Sequence, residues 1–226
     1  EDAKDTFTGG FSKEQDYFSV NGGLGTERSF FDKNTTISAS GSFSYDWIKP
    51  NNPGLSLARP CCGEKWSVDL FGGLSQLITR SSAIQFTANY KHSDGYLSDP
   101  YKAIRGIGPS DGIISDRRPD QKDQGSLMVR YRHHFDMTEK IGGTLHADYR
   151  FYADDWDVTS HTFELAWYQS FGPVTIVPGA RYYSQSKAGF YDTLLPAGAL
   201  ESDPGNRSSD FRLSPYGAIS WKVKAE

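Results

Sequence analysis

Ten charged residues stand at alternate positions of runs whose other positions are apolar: Asp69, Lys91, Arg130, Arg132, Asp148, Arg150, Glu164, Arg181, Arg212 and Lys222. In an extended chain such residues share one face. Opposed charges that meet across neighbouring strands lock register, each pair by about 0.2 to 1 kcal/mol. The same residues can instead line a wet channel with a field that favours anions over cations. Both readings stay open, although the carboxylates cancel much of any field. A tight turn sets Glu164 near Arg181, and adjacent strands set Asp148 near Arg130.

Other groups could carry chemistry. Cys61 and Cys62 sit side by side in "RPCCG", where they could form a strained vicinal disulfide, pair with another chain, serve redox exchange, or offer two thiolates to a soft metal. Two sulfurs with no nearby histidine leave a zinc site incomplete. His133, His134, His146 and His161 raise the question of a hydrolase, but Ser160 and His161 are neighbours that point to opposite faces of a strand, and no G-x-S-x-G is present. The loop 98–120 carries Asp99, Asp111, Asp116 and Asp120 at spacings that match no calcium loop; it reads as a solvated segment that folds partly into a lumen. "GGLG" at 22–25 lacks the lysine and helix of a phosphate cradle. No catalytic residue, metal site or cofactor is assigned.

Long strands must position the charged row. In "TTISASGSFSYDW" the odd positions from Ile37 to Trp47 are apolar or aromatic apart from one glycine, and the even ones are four serines and Asp46. Such period-two alternation predicts about ten strands, near 5–13, 17–29, 34–48, 65–79, 82–96, 122–135, 141–156, 160–171, 174–189 and 209–224. Most exceed the usual globular length of about 5 to 6 residues and suit a tilted bilayer crossing. Short links at 31–34, 80–82, 136–140 and 172–173 fall after even-numbered strands, whereas the long links 50–64, 97–121 and 190–208 follow odd-numbered ones. In a meander this puts short turns at one end and long loops at the other, the asymmetry of outer-membrane barrels.

The opposite face carries Phe43, Tyr45, Trp47, Phe86, Tyr90, Phe163, Trp167 and Trp221, expected to touch lipid. Aromatic residues gather toward its ends, with Tyr45, Trp47, Trp66 and Phe211 near the long loops and Phe135 and Trp221 near the short turns, as interfacial girdles do. Alternation alone does not decide which face is wet, since a soluble sandwich would bury the apolar row. Composition favours strands: 37% hydrophobic, 14% aromatic, 23 glycines and 2 methionines in 226 residues. The net charge of −4 contains no basic run and argues against nucleic acid. No apolar stretch reaches transmembrane-helix length, and a mean hydropathy of −0.58 is uninformative where lipid-facing and lumen-facing residues alternate. "EDAKDTFTGG" is no signal peptide, so the chain reads as a mature form, a fragment, or cytosolic.

Several stretches in order, among them "SKEQDYFSV" (12–20), "KNTTIS" (33–38), "DGYLSDPYK" (94–102), "RRPD" (117–120), "DYRFYADDW" (148–156), "SHTFELAWYQ" (160–169), "RYYSQSKAGFY" (181–191) and "DFRLSPYGA" (210–218), resemble a family of uncharacterised proteobacterial outer-membrane proteins known as a domain of unknown function. The resemblance implies a transmembrane β-barrel whose genes are often neighbours of a flavin-attaching transferase and thioredoxin-like proteins. It implies no established activity. Family members look longer at both ends, with further strands before Phe7 and after Val223.

The expectation is therefore a single all-β domain over 1–226: an antiparallel up-and-down transmembrane β-barrel, about ten strands here, part of a larger barrel of about 14 to 16, with a closed ten-stranded barrel as runner-up. Its expected place is the outer membrane of a Gram-negative bacterium. Its expected partners are the lipid bilayer and a periplasmic or cell-surface protein, and its expected role is a non-enzymatic channel, or a sheath or scaffold for a transport or redox partner. An adhesion or assembly scaffold with a plugged lumen is the alternative, and an outer-membrane hydrolase a more distant one.

Overall fold

The computed structural model describes residues 3–50, 63–107, 112–138, 141–197 and 205–226. Cys61 and Cys62 lie outside them. Ten strands form one antiparallel sheet: β1 (Ala3–Lys13), β2 (Tyr17–Phe30), β3 (Thr35–Ile48), β4 (Gly63–Thr79), β5 (Ser82–Gly95), β8 (Gln121–Thr138), β9 (Ile141–Asp154), β10 (Thr159–Phe171), β11 (Val174–Gln185) and β13 (Tyr216–Ala225). Each pairs with its predecessor and successor in this order, which is the expected up-and-down meander. A small second sheet, built from β12 (Leu194–Leu195), β6 (Ala103–Gly106) and β7 (Ile113–Ser115), comes from the two long links.

Local chemistry explains the turns. Gly172 takes a φ of 61°, and Pro173 after it is locked near −65°. That sign change is the type II′ pattern, whose twist matches the flanking strands β10 and β11. Among the described residues, register irregularities occur only beside short turns, between Leu77 and Thr79 and between Asp136 and Thr138, so the facing of the wall is uninterrupted. Strands of 10 to 18 residues keep that facing from end to end.

The sheet has a bare apolar face. Leu70, Phe86, Leu127, Phe163 and Leu165 sit on interior strands yet remain exposed, Leu127 by 59%. They are not packed together inside a water-soluble body. The buried apolar residues include Trp156, Val158, Ala188 and Leu213, which cluster with Leu97, Tyr152, Phe190 and Tyr191 at the long-loop end. Every residue of β1 and of β13 is exposed, because each pairs on one side only. The sheet is open, so the closed ten-stranded barrel is not what these strands form.

The last strand differs from expectation. It starts at Tyr216, not near 209, because the Asp210 side chain accepts from the Arg212 backbone and opens a 3-10 turn at Phe211–Leu213. Arg212 and Phe211 therefore leave the wall. Phe211 is no girdle residue: it sits in the loop with the Lys102 ammonium 5.6 Å from its ring centroid. Likewise Trp156 stands in the link between β9 and β10.

Candidate functional site: a charged wall beneath a salt-bridged cap

Register places Asp69, Lys91, Arg130, Arg132, Asp148, Arg150, Glu164, Arg181 and Lys222 on the polar face, as expected. Their partners are not always the register neighbours. Asp69 faces Lys91 across the ladder but accepts a 2.7 Å hydrogen bond from Asn89. Asp148 faces Arg130, yet Arg132 grips it through both terminal nitrogens, one at 3.1 Å, while the Arg130 Nε stands 3.8 Å away. Glu164 faces Arg181, yet its carboxylate pairs with Lys222 from two strands over. A glycine makes that reach possible: a Cβ on Gly179 would lie 2.9 Å from Lys222 Cε, so the lysine crosses β11 over a bare backbone. Arg150 and Arg181 have no ion pair among the described residues.

The two halves of this face differ. On β1 to β5 Lys4, Lys65 and Lys91 are matched by Glu27, Asp46 and Asp69. On β8 to β13 and the residue after it, seven cations (Lys122, Arg130, Arg132, Arg150, Arg181, Lys222, Lys224) face five carboxylates (Asp136, Asp148, Asp154, Glu164, Glu226). The excess is positive.

The other face separates apolar from charged along the strands. On β9, β10, β11 and β13 it carries no Asp, Glu, Lys or Arg. On β1 to β8 its charges stand at the ends, with Lys13, Glu64, Asp94 and Asp123 toward the long loops and the Asp5–Arg28 pair toward the short turns. Aromatic side chains mark both ends: Phe18, Trp47, Tyr45 and Trp66 at one, His133, Phe135 and Trp167 at the other. Phe43, Phe86, Tyr90, Phe163 and Trp221 are exposed between or beside them, Trp221 by 81%.

A cap covers the polar face at the long-loop end. Its described parts are residues 96–107 and 112–120 of one link, 186–197 and 205–215 of the other, and the turn 155–158. Arg118 joins Asp116 at 2.7 Å to Asp210 at 2.9 Å, and Arg212 joins Asp210 to Asp99 at 2.7 Å. The side chains of Asp116 and Asp210 have no exposure. The backbone bridge Arg117–Arg207 stitches the two links together, the bridge Tyr191–Ser208 folds the second link on itself, and the Ser209 hydroxyl donates to the Ala103 carbonyl at 2.8 Å. Trp156 seats the cap on the wall by donating its indole N–H to the Gln121 carbonyl at 2.9 Å. Tyr101 bonds Asp16 in the link between β1 and β2, so the cap reaches to the far side of the sheet. Beneath that side Asp46, Ser67 and Ser93 are buried.

Burial alone would raise the Asp210 pKa, but hydrogen bonds from Arg212 and Arg118 outweigh it and hold the carboxyl at about 2. The unfolded value is about 3.9, so the open cap binds the proton first. The Asp210 contribution, about 2.6 kcal/mol from the shift, is complete well above about pH 4 and is lost as pH falls through about 2. Hydrogen exchange corrected for intrinsic rates should show the amides of 97–107 and 205–214 losing protection over that window while β9 and β10 keep theirs. Protection flat from pH 5 to 2 would contradict the assignment.

The histidine candidates separate. His161 lies on the apolar face, its Nδ1 2.9 Å from Tyr149 Oη, while Ser160 is buried on the polar face. His134 contacts Thr144 at 2.9 Å and His146 packs against Tyr168 with the rings tilted, their centroids 4.2 Å apart. The cap residues Trp156 and Asp210 were not singled out by alternation. A signal for Asp210 existed, since "SSDF" carries the residue types that cap helical turns.

An antiparallel β meander with one polar, charge-bearing face, one charge-banded apolar face and an ordered cap defines the class. The chain belongs to the family described as "Protein of unknown function (DUF3570)", whose match covers residues 1–226. No curated protein matches it. Among solved structures it is similar to the β domain of the Bordetella autotransporter Brka, with 12% identity, a TM-score of 0.39, and 81% of this chain and 78% of that one covered.

Proposed function

We propose that the sheet is part of the wall of an outer-membrane β-barrel in a Gram-negative bacterium, and that the protein is non-enzymatic. Its polar face lines a lumen, and its cap closes the long-loop mouth. The barrel acts as a channel, or as a sheath for a transport or redox partner at the periplasmic side or the cell surface. The observation that carries this reading is the charge-free band on the apolar face. On β8 it runs from Asp123 to the aromatic end that starts at His133; ten residues at roughly 3.3 Å and a tilt of roughly 40° span roughly 25 Å, the height of the apolar band of such barrels. The unpaired edges of β1 and β13 fit the same picture. An open edge in hydrocarbon leaves backbone groups unsatisfied at several kcal/mol each, so further strands join them in a single barrel domain of about 14 to 16 strands.

Conductance of the full-length protein in a planar bilayer tests the channel. The expected result is discrete steps with anion preference. Asp148→Asn, which frees Arg132, should strengthen that preference, and Arg181→Gln should weaken it. Cation preference in the wild type would refute the role given to the charged wall. The cap favours a second reading, a plugged scaffold; a bilayer that is silent with the wild type and conducts once the cap links are replaced by short turns would select it.

A further inference from the structure

The geometry points to a binding site for a small oxyanion, a carboxylate or phosphate, in the recess between the wall and the cap, with Arg150 as its anchoring cation. The recess has a volume of about 260 Å³. Arg150, Ser160 and Tyr183 form its floor, and Arg212 and Leu213 from the cap form its roof. At about 30 Å³ per water, this is room for a compact anion and several waters.

The ligand class follows from which hydrogen-bonding groups are already spent. The acceptors in the recess have their donors. Asp154 takes the Lys122 ammonium at 2.9 Å, the Tyr152 hydroxyl at 2.7 Å and the backbone N–H groups of Trp156 and Val158 at 3.1 and 2.9 Å. Gln185 Oε1 takes the Tyr183 hydroxyl at 2.6 Å, and Gln185 Nε2 donates to the Arg212 and Ser214 carbonyls. The charge of Arg212 is committed to Asp210 and Asp99. Unspent are the Arg150 guanidinium and the buried Ser160 hydroxyl, neither with a side-chain partner among the described residues. A recess whose free capacity is a five-donor cation and a hydroxyl accepts a ligand that brings negative charge and acceptor oxygens. A bound anion would touch both wall and roof and so hold the cap down.

This site rests on the contact of wall and cap and not on the membrane reading. Calorimetric titration of the folded full-length protein in detergent tests it, with inorganic phosphate and, separately, succinate as probes. Saturable binding of either probe is expected. Arg150→Met should weaken it about tenfold to a hundredfold, the worth of a charge-assisted hydrogen bond. Arg181→Met removes the same charge from the same wall outside the recess and should change affinity less than about threefold. Arg150 is exposed and unpaired, so its variant keeps the wall intact, checked by strand content in circular dichroism. Equal weakening by both variants would mean a diffuse field and no site. Absence of saturable wild-type binding, or an Arg150→Met protein that binds as well as wild type, would equally overturn the assignment.

Discussion

Asp210→Ala should unfasten the cap while leaving the ten-stranded wall in place. The carboxylate is fully buried and is the one group that both Arg118 and Arg212 contact. Its removal leaves the nearly buried Arg118 with Asp116 alone and the more exposed Arg212 with Asp99 alone, so the cost stays below the about 3 to 5 kcal/mol of a buried charge left with no partner. The turn at Phe211–Leu213 loses its cap as well, about 1 kcal/mol more. Leu213 then has no fixed approach to Trp156 and Ala188. The expected readout is rapid exchange and proteolytic cleavage in 97–107 and 205–214 with β8 to β11 still protected, because their ladders do not pass through the cap. If the protein conducts, the same variant should open more often than wild type. Unchanged protection would show that the apolar cluster holds the cap alone.

Leu127→Arg should prevent stable assembly in lipid bilayers, whereas His92→Arg should be nearly silent. Both residues lie on the apolar face. Leu127 stands within the charge-free band, and an arginine at such a depth costs about 2 to 4 kcal/mol; near the interface the cost falls to about 0 to 1 kcal/mol. His92 lies at that edge, already 2.8 Å from Asp123, which an arginine would also satisfy. Folding yield into vesicles, followed by urea titration, measures both. A depth gradient is a property of a bilayer. Similar penalties at the two positions, or a wild-type protein that folds fully in buffer without lipid or detergent, would sink the membrane reading.

Much of the fold was legible before any coordinates, and particular residues show why. Phe43 and Ser44 point to opposite faces because a strand has a repeat of two, so the facing of the wall followed from spelling alone. The failures have equally local causes. The alternation of "FRLSPYGAIS" continues back through Arg212, but the Asp210 carboxylate captures a backbone N–H and ends the strand at Tyr216. A short-range polar side chain outcompeted the ladder. Glu164 with Arg181 was correct as register, but the carboxylate pairs with Lys222 instead. Asp148 with Arg130 was correct as register and survives as a long 3.8 Å ion pair, with Arg132 taking the closer position, since long side chains choose among charges within reach. No spacing rule encodes that the bare backbone of Gly179 lets Lys222 pass.

The sequence by itself determined the number of wall strands, which face each residue takes and the segregation of short turns from long links. These depend on backbone geometry and nearest neighbours along the chain. Only the tertiary structure decided that two long links, separated by β8 to β11, close over the charged face around Asp210, and that Arg150 is left without a carboxylate. Such outcomes depend on side chains brought together from about a hundred residues apart, where hydrogen bonds of a few kcal/mol select one arrangement among many that the alternation allows.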